Sequence, residues 1–196
     1  MTFIGIIITY TLVQNLVLVD LLGLYPYVNV TRKFSSAAGI GAAMIIVMSL
    51  ATLLTWVMYH LVLLPLGITF LQILTFLLIT VGLVQFLEMI AKWSAGALHR
   101  AVGAYLPLLT VNSAVLGIAL IAVNANYSAF GSLLAGFSAG AGFLLVTVVM
   151  AAIRERLDLE WIPKPFRGIP IAFISAGLMA MAFLGFDASF LRNLLG

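Results

Sequence analysis

The sequence predicts an all-α integral membrane protein. Six transmembrane helices form two inverted three-helix repeats, and the first and fourth helices are discontinuous. Three observations carry this prediction. Of 196 residues, 64% are hydrophobic and 8% charged, where a soluble domain carries about 25% charged residues. Six stretches stay apolar over the roughly 20 residues that a membrane-crossing helix needs. The basic residues fall in every second connection, and motifs of the first half return in the second.

The first span covers about Phe3–Leu24. Its opening, "MTFIGIIITYTLVQN", lacks the basic region and small-residue cleavage site of a signal peptide, and reads as a retained helix. It closes on "LLGLYPYVNVTRK": Pro26 stops the helix, Tyr27 sits at the headgroups, and Arg32 and Lys33 hold the cytoplasmic side. The second span, about Ala37–Tyr59, opens on "GIGAAMIIVMSLA". The third, about Ile68–Ala91, carries Glu88 four residues before Lys92, on one helix face. An interfacial ion pair with Lys92 and a carboxylate on an ion path are both open for Glu88. The fourth span, about Ala101–Val123, holds Pro107, Thr110, Asn112, Ser113 and Gly117. The fifth, about Ala129–Ile153, contains "GFSAG", a GxxxG pattern that brings helices close, within the chain or against a partner. The charged connection "RERLDLEWIPKPFRG" then leads into the sixth, about Ile169–Phe190. Tyr10, Trp56, Tyr59, Trp93 and Trp161, near span ends or in loops, fit aromatic belts.

Arg32 and Lys33 lie between spans one and two, Lys92 and Arg100 between three and four, and Arg154, Arg156, Lys164 and Arg167 between five and six. The other two turns carry no Lys or Arg. Positive loops are cytoplasmic, so both termini are expected outside, in the inner (cytoplasmic) membrane of a cell. Only Arg192 goes against this sorting.

"GIGAAMIIVMSLA" returns as "GAGFLLVTVVMAA", "ITVGL" as "ISAGL", and "LGITF" as "RGIPI", in the same order. Three spans per half make the second half enter from the opposite side. The result is one membrane domain, 1–196, with halves of about 1–98 and 99–196. Inverted repeats place their sites near the midplane, on corresponding helices interrupted by Gly or Pro. Spans one and four fit, the first with Gln14, Asn15, Asp20, Gly23 and Pro26. Polar groups inside hydrocarbon are costly unless they face protein or water. Asn15, Asp20, Thr110 and Asn112 are therefore candidate core groups of two broken helices, with interhelical hydrogen bonding as the plainer reading. For Asp20, pairing with Arg32 or Lys33 and ion handling are both open.

There are no cysteines and two separated histidines, so no metal site and no cofactor are expected from this chain. The net charge of +3 follows from membrane sidedness, and no nucleic-acid partner is implied. No catalytic residue stands out.

With these motifs placed, the sequence resembles the Rnf/Nqr family, both the A component of Rnf electron-transport complexes and the related E component of sodium-pumping NADH:quinone reductases. "NLVLVDLLGLYP", "VQFLEMI", "LPLLTVNSAVLG", "AAIRERL" and "PKPFRGIPIAFISAGLMAMAFLGF" carry the resemblance in order. It implies a membrane subunit of a complex coupling electron transfer to Na⁺ or H⁺ movement, hence of a translocase. It also implies pairing with a homologous subunit of opposite orientation and work beside flavin- and iron–sulfur-bearing subunits. The family's shared 2Fe-2S centre is held by cysteines of the first and fourth helices, and the positions matching those cysteines here are Tyr25 and Ser113. A phenol or hydroxyl is a poor replacement for a thiolate, so the chain is expected to lack that centre. The alternative is a paralogue moving a small solute or ion, as a homodimer or with one homologue.

Overall fold

The computed structural model describes residues 2–24, 27, 31, 34–93, 109, 112–157, 159 and 161–186, and every regular element among them is helical. Helix α1 (Phe3–Ile8) starts where the Thr2 hydroxyl accepts the Gly5 N–H at 3.3 Å, and it widens into a π-helical turn, Thr9–Val13. Next come α2 (Phe34–Met58, extended by a π-helical turn to Leu63) and α3 (Gln72–Trp93). They are followed by α4 (Ser113–Asn124), α5 (Ala129–Leu157) and α6 (Ile169–Phe183). The turn between α2 and α3 passes Pro65 and uses Gly67 at φ 68°, a left-handed conformation that favours glycine. Helix α5 begins where the Ser128 hydroxyl accepts the Gly131 N–H at 3.1 Å, a side-chain N-cap.

Among the described residues, six apolar helical segments stand where six spans are expected. Four are long and apolar enough to cross a membrane: Phe34–Leu63, Thr69–Ile90, Ala129–Leu157 and Ile169–Phe186. Phe3–Val13 and Ser113–Asn124 are shorter. This is a multi-pass membrane protein, and its first and fourth spans are interrupted.

The core is the crossing of α2 and α5. Lipid supplies no hydrophobic drive between helices, so close backbone approach and dense contact must hold them. Gly41 of α2 packs on Leu144, Gly140 of α5 on Ile45, and Gly136 on Met48 and Thr52. Residue numbers rise along one helix as they fall along the other, so the two are antiparallel. The GxxxG glycines Gly136 and Gly140 therefore serve a contact within the chain. Met44, Val47, Met48, Phe143, Val146 and Met150 fill the space between the helices. Outward side chains stay apolar, with Phe70 80% exposed, as suits lipid contact.

Helix α1 lies along α5 in parallel. Phe3 meets Phe130 edge-on at 5.3 Å between ring centroids, and the Thr11 hydroxyl donates to the Ser138 carbonyl at 3.2 Å. One end of the molecule therefore holds the start of α1 and the α4–α5 turn. The late turns of α2 belong there too, since Trp56 Nε1 donates to the Tyr127 carbonyl at 2.7 Å. At the opposite end Glu155 Oε1 accepts the Phe34 N–H at 3.0 Å, and Arg154 Nη1 donates to Thr31 Oγ1 at 3.1 Å. The basic connections lead from this second end, in keeping with the alternation of charge along the sequence.

Candidate functional site at the broken helices

Both short helices stop well short of a full membrane crossing. The apolar run Phe3–Val13 spans about 16 Å at helical rise, and the 12 residues Ser113–Asn124 span about 18 Å. The hydrocarbon core is about 30 Å thick. Beyond Val13 the chain turns irregularly as far as Gly23. Leu21 adopts φ 56° and Gly23 φ 75° there.

Asn15 makes the first break possible. It is buried, its Oδ1 accepts the N–H groups of Val17 at 3.1 Å and Leu18 at 3.4 Å, and its Nδ2 donates to the Thr11 carbonyl at 3.1 Å. Buried backbone donors freed from a helix need such partners. Gly142 of α5 leaves the room, since a Cβ there would lie 2.9 Å from Asn15 Nδ2 and 2.7 Å from the Tyr10 carbonyl. Asn112 does the same for α4: buried and extended (φ −95°, ψ 118°), it accepts the Ala114 N–H on Oδ1 at 2.9 Å. Its Nδ2 reaches Met44 Sδ at 3.5 Å.

The breaks touch each other. Ser113 Oγ accepts the Gly23 N–H at 3.0 Å. A Cβ on Gly23 would come within 3.1 Å of Asn112 Oδ1, and one on Gly117 would strike Leu22. The structure thus brings Asn112 and Ser113 against the Gly23 end of the first break, while Asn15 sits at its start beside Gly142 of α5. Tyr25 and Thr110 lie outside the described residues. Asp20 is on the break but exposed from this chain. Glu88 is half-buried on α3, away from the contacts of Asn15, Asn112 and Ser113, and the side chain of Lys92 lies outside the described ones.

Two tyrosines depart from the headgroup positions expected of them. Tyr27 is 0% exposed, and its hydroxyl donates to Met179 Sδ at 3.6 Å. Tyr10 is buried with its hydroxyl 3.1 Å from that of Tyr127. Packing against α6 and the α4–α5 turn removes both from lipid, which span-end position alone does not foresee. Sequence reasoning also missed the buried chain Arg154–Thr31–Tyr27, in which Thr31 Oγ1 donates to the Tyr27 carbonyl at 2.8 Å. Its one sequence signal is the four-residue spacing of Tyr27 and Thr31.

Such a fold, two short apolar helices ended by asparagines with the chain beyond the first packed on the start of the second, belongs to a membrane protein of the inverted-repeat class. A family described as "Rnf-Nqr subunit, membrane protein" matches residues 3–189. The chain belongs to this family. Among its relatives, proteins named as the A component of an ion-translocating oxidoreductase complex are 49% identical in Cronobacter sakazakii (90% of this chain, 91% of that one) and 50% in Serratia proteamaculans (89% and 91%). The protein of that name in Cereibacter sphaeroides is 48% identical (94% and 95%).

The iron–sulfur centre implied by the family does not fit the residues present. The sequence has no thiol, and Ser113 already uses its hydroxyl to accept the Gly23 N–H. Among the described residues no three His, Cys, Asp or Glu side chains group as metal ligands.

Proposed function

We propose that this chain is the membrane subunit of an ion-translocating oxidoreductase complex of the Rnf/Nqr type, and that it works without an iron–sulfur centre of its own. The single observation that carries the reading is 48% identity, over 94% of the chain, to the A component of such a complex. In this reading Na⁺ or H⁺ crosses at the breaks. The carbonyl end of α1 and the N–H end of α4 reach mid-membrane there and offer partial charges of opposite sign. Asn15, Thr110 and Asn112 are the polar groups of that crossing, and Glu88 is a carboxylate further along an ion path. No electron-transfer step is assigned to Tyr25 or Ser113; donors and acceptors belong to flavin- and iron–sulfur-bearing subunits. A homologous membrane subunit of opposite orientation, or a second copy, completes the core. The complex sits in the inner membrane with both termini of this chain outside.

Purification of the native complex through this chain tests the reading. Flavin- and iron-containing subunits are expected to co-purify, and deletion of the chain to abolish electron-driven ion uptake by vesicles. A chain recovered without such subunits overturns it. Solute or ion transport by the chain alone in liposomes, lost on changing Asn15 or Asn112, would instead establish the transporter alternative.

A further inference from the structure

We propose that the exposed side of the break in the first span, centred on Asp20, is the contact surface for a different membrane subunit that presents a lysine or arginine at mid-membrane depth. The inference rests on the reading of this chain as part of a membrane complex.

Gln14, Val19, Asp20 and Leu21 form this surface. Val19 is 37% and Leu21 59% exposed, and Gln14 and Asp20 are open as well. Among the described residues the Asp20 carboxylate accepts no hydrogen bond and meets no cation, and the N–H groups of Asp20 and Leu21 donate to nothing. The surface follows directly on a helical segment about 16 Å long, so it lies in the middle of a hydrocarbon layer about 30 Å thick.

Lipid is a poor neighbour here, because an ionised carboxylate and irregular backbone with free donors are tolerated at that depth only against protein or water. Water alone suits the site poorly, because Val19 and Leu21 flank the carboxylate with bulky apolar groups. A protein surface that is apolar around one cation satisfies both features. That cation cannot come from this chain or from a second copy of it. In the sequence Arg32 and Lys33, like the other seven Lys and Arg residues, fall in connections or at the ends of the apolar spans. The cation therefore belongs to another chain, and charge complementarity selects it.

The test uses the native complex. A photo-crosslinking residue is placed at Val19 and, separately, at Leu21, leaving Asp20 intact. Linked peptides are expected from another subunit, within a stretch apolar over a membrane-spanning length that contains Lys or Arg. Asp20→Lys is expected to lower co-purification of that subunit by about tenfold or more, and Asp at the linked basic position to restore it. Crosslinks at both positions only to lipid or only to the same chain overturn the inference. So does an Asp20→Asn variant that keeps its partner while its Na⁺ dependence of transport changes, because the carboxylate then handles the ion. Flavin and iron content is measured in the same preparations. A complex with both but with lipid-only crosslinks ends this inference and leaves the functional reading standing.

Discussion

Asn15 and Asn112 perform one task on two helices: each ends or begins a half-span by giving its Oδ1 to backbone N–H groups two or three residues ahead. Leaving buried donors unpaired costs about 1–3 kcal/mol, and loss of a helix cap about 1 kcal/mol. Asn15→Ala, which strips two donors and the Thr11 carbonyl of their partner, is expected to be the more damaging of the two. Thermal unfolding in nanodiscs, compared with Asn112→Ala, checks the order. Ser113→Ala orphans the Gly23 N–H and is expected to destabilise by about 1–3 kcal/mol. The iron content of the purified complex is expected to be unchanged, because the hydroxyl holds backbone rather than metal. A fall in iron on this substitution would reinstate a metal at the position.

At the scale of elements, stability rests on how closely α2 and α5 approach. A Cβ on Gly140 would sit 2.5 Å from the Ile45 Cα, and one on Gly136 would strike the Met48 carbonyl. Neither neighbour is a flexible side chain, so the helices must part. Overpacking of this kind costs about 1–3 kcal/mol. Gly140→Ala and Gly136→Ala are expected to lower the unfolding temperature accordingly. Gly82 and Gly177, on α3 and α6, have nothing within 4 Å of an added Cβ. Alanine there is expected to stabilise by up to about 1 kcal/mol through helix propensity alone. The four variants, compared in one thermal series, test whether contact or propensity governs each position. Glu155 acts between elements in a similar sense. Its carboxylate accepts the first N–H of α2, and Glu155→Ala is expected to cost about 0.5–2 kcal/mol.

Across the whole molecule, the two ends differ in charge. The end with Phe3, Trp56, Tyr127 and Phe130 has turns without Lys or Arg, whereas Arg154, Arg156 and Thr31 gather at the other. With no native cysteine, each introduced thiol is a unique reporter of sidedness. Asn126→Cys, in the α4–α5 turn, is expected to react with a membrane-impermeant maleimide in intact cells. Lys164→Cys, in the α5–α6 connection, is expected to react only after permeabilisation. The reverse pattern would turn the molecule over and place both termini inside.

The sequence alone determined the class of fold. Apolar runs of membrane length, the alternation of basic loops and the order of the repeated motifs are local or compositional signals, and hydrocarbon leaves a chain with these features only helices to form. The interruption of spans one and four was legible too, since Gly, Pro and Asn inside an apolar run are costly without a reason. Only the tertiary structure decided where those polar groups point. Ser113 meets Gly23 across 90 positions, Tyr27 turns inward to Met179, and the glycines of "GFSAG" serve α2 rather than a partner. Such facts depend on which faces meet. In a chain apolar on every side, periodicity does not mark the buried face, and only the packing of one helix on another selects it.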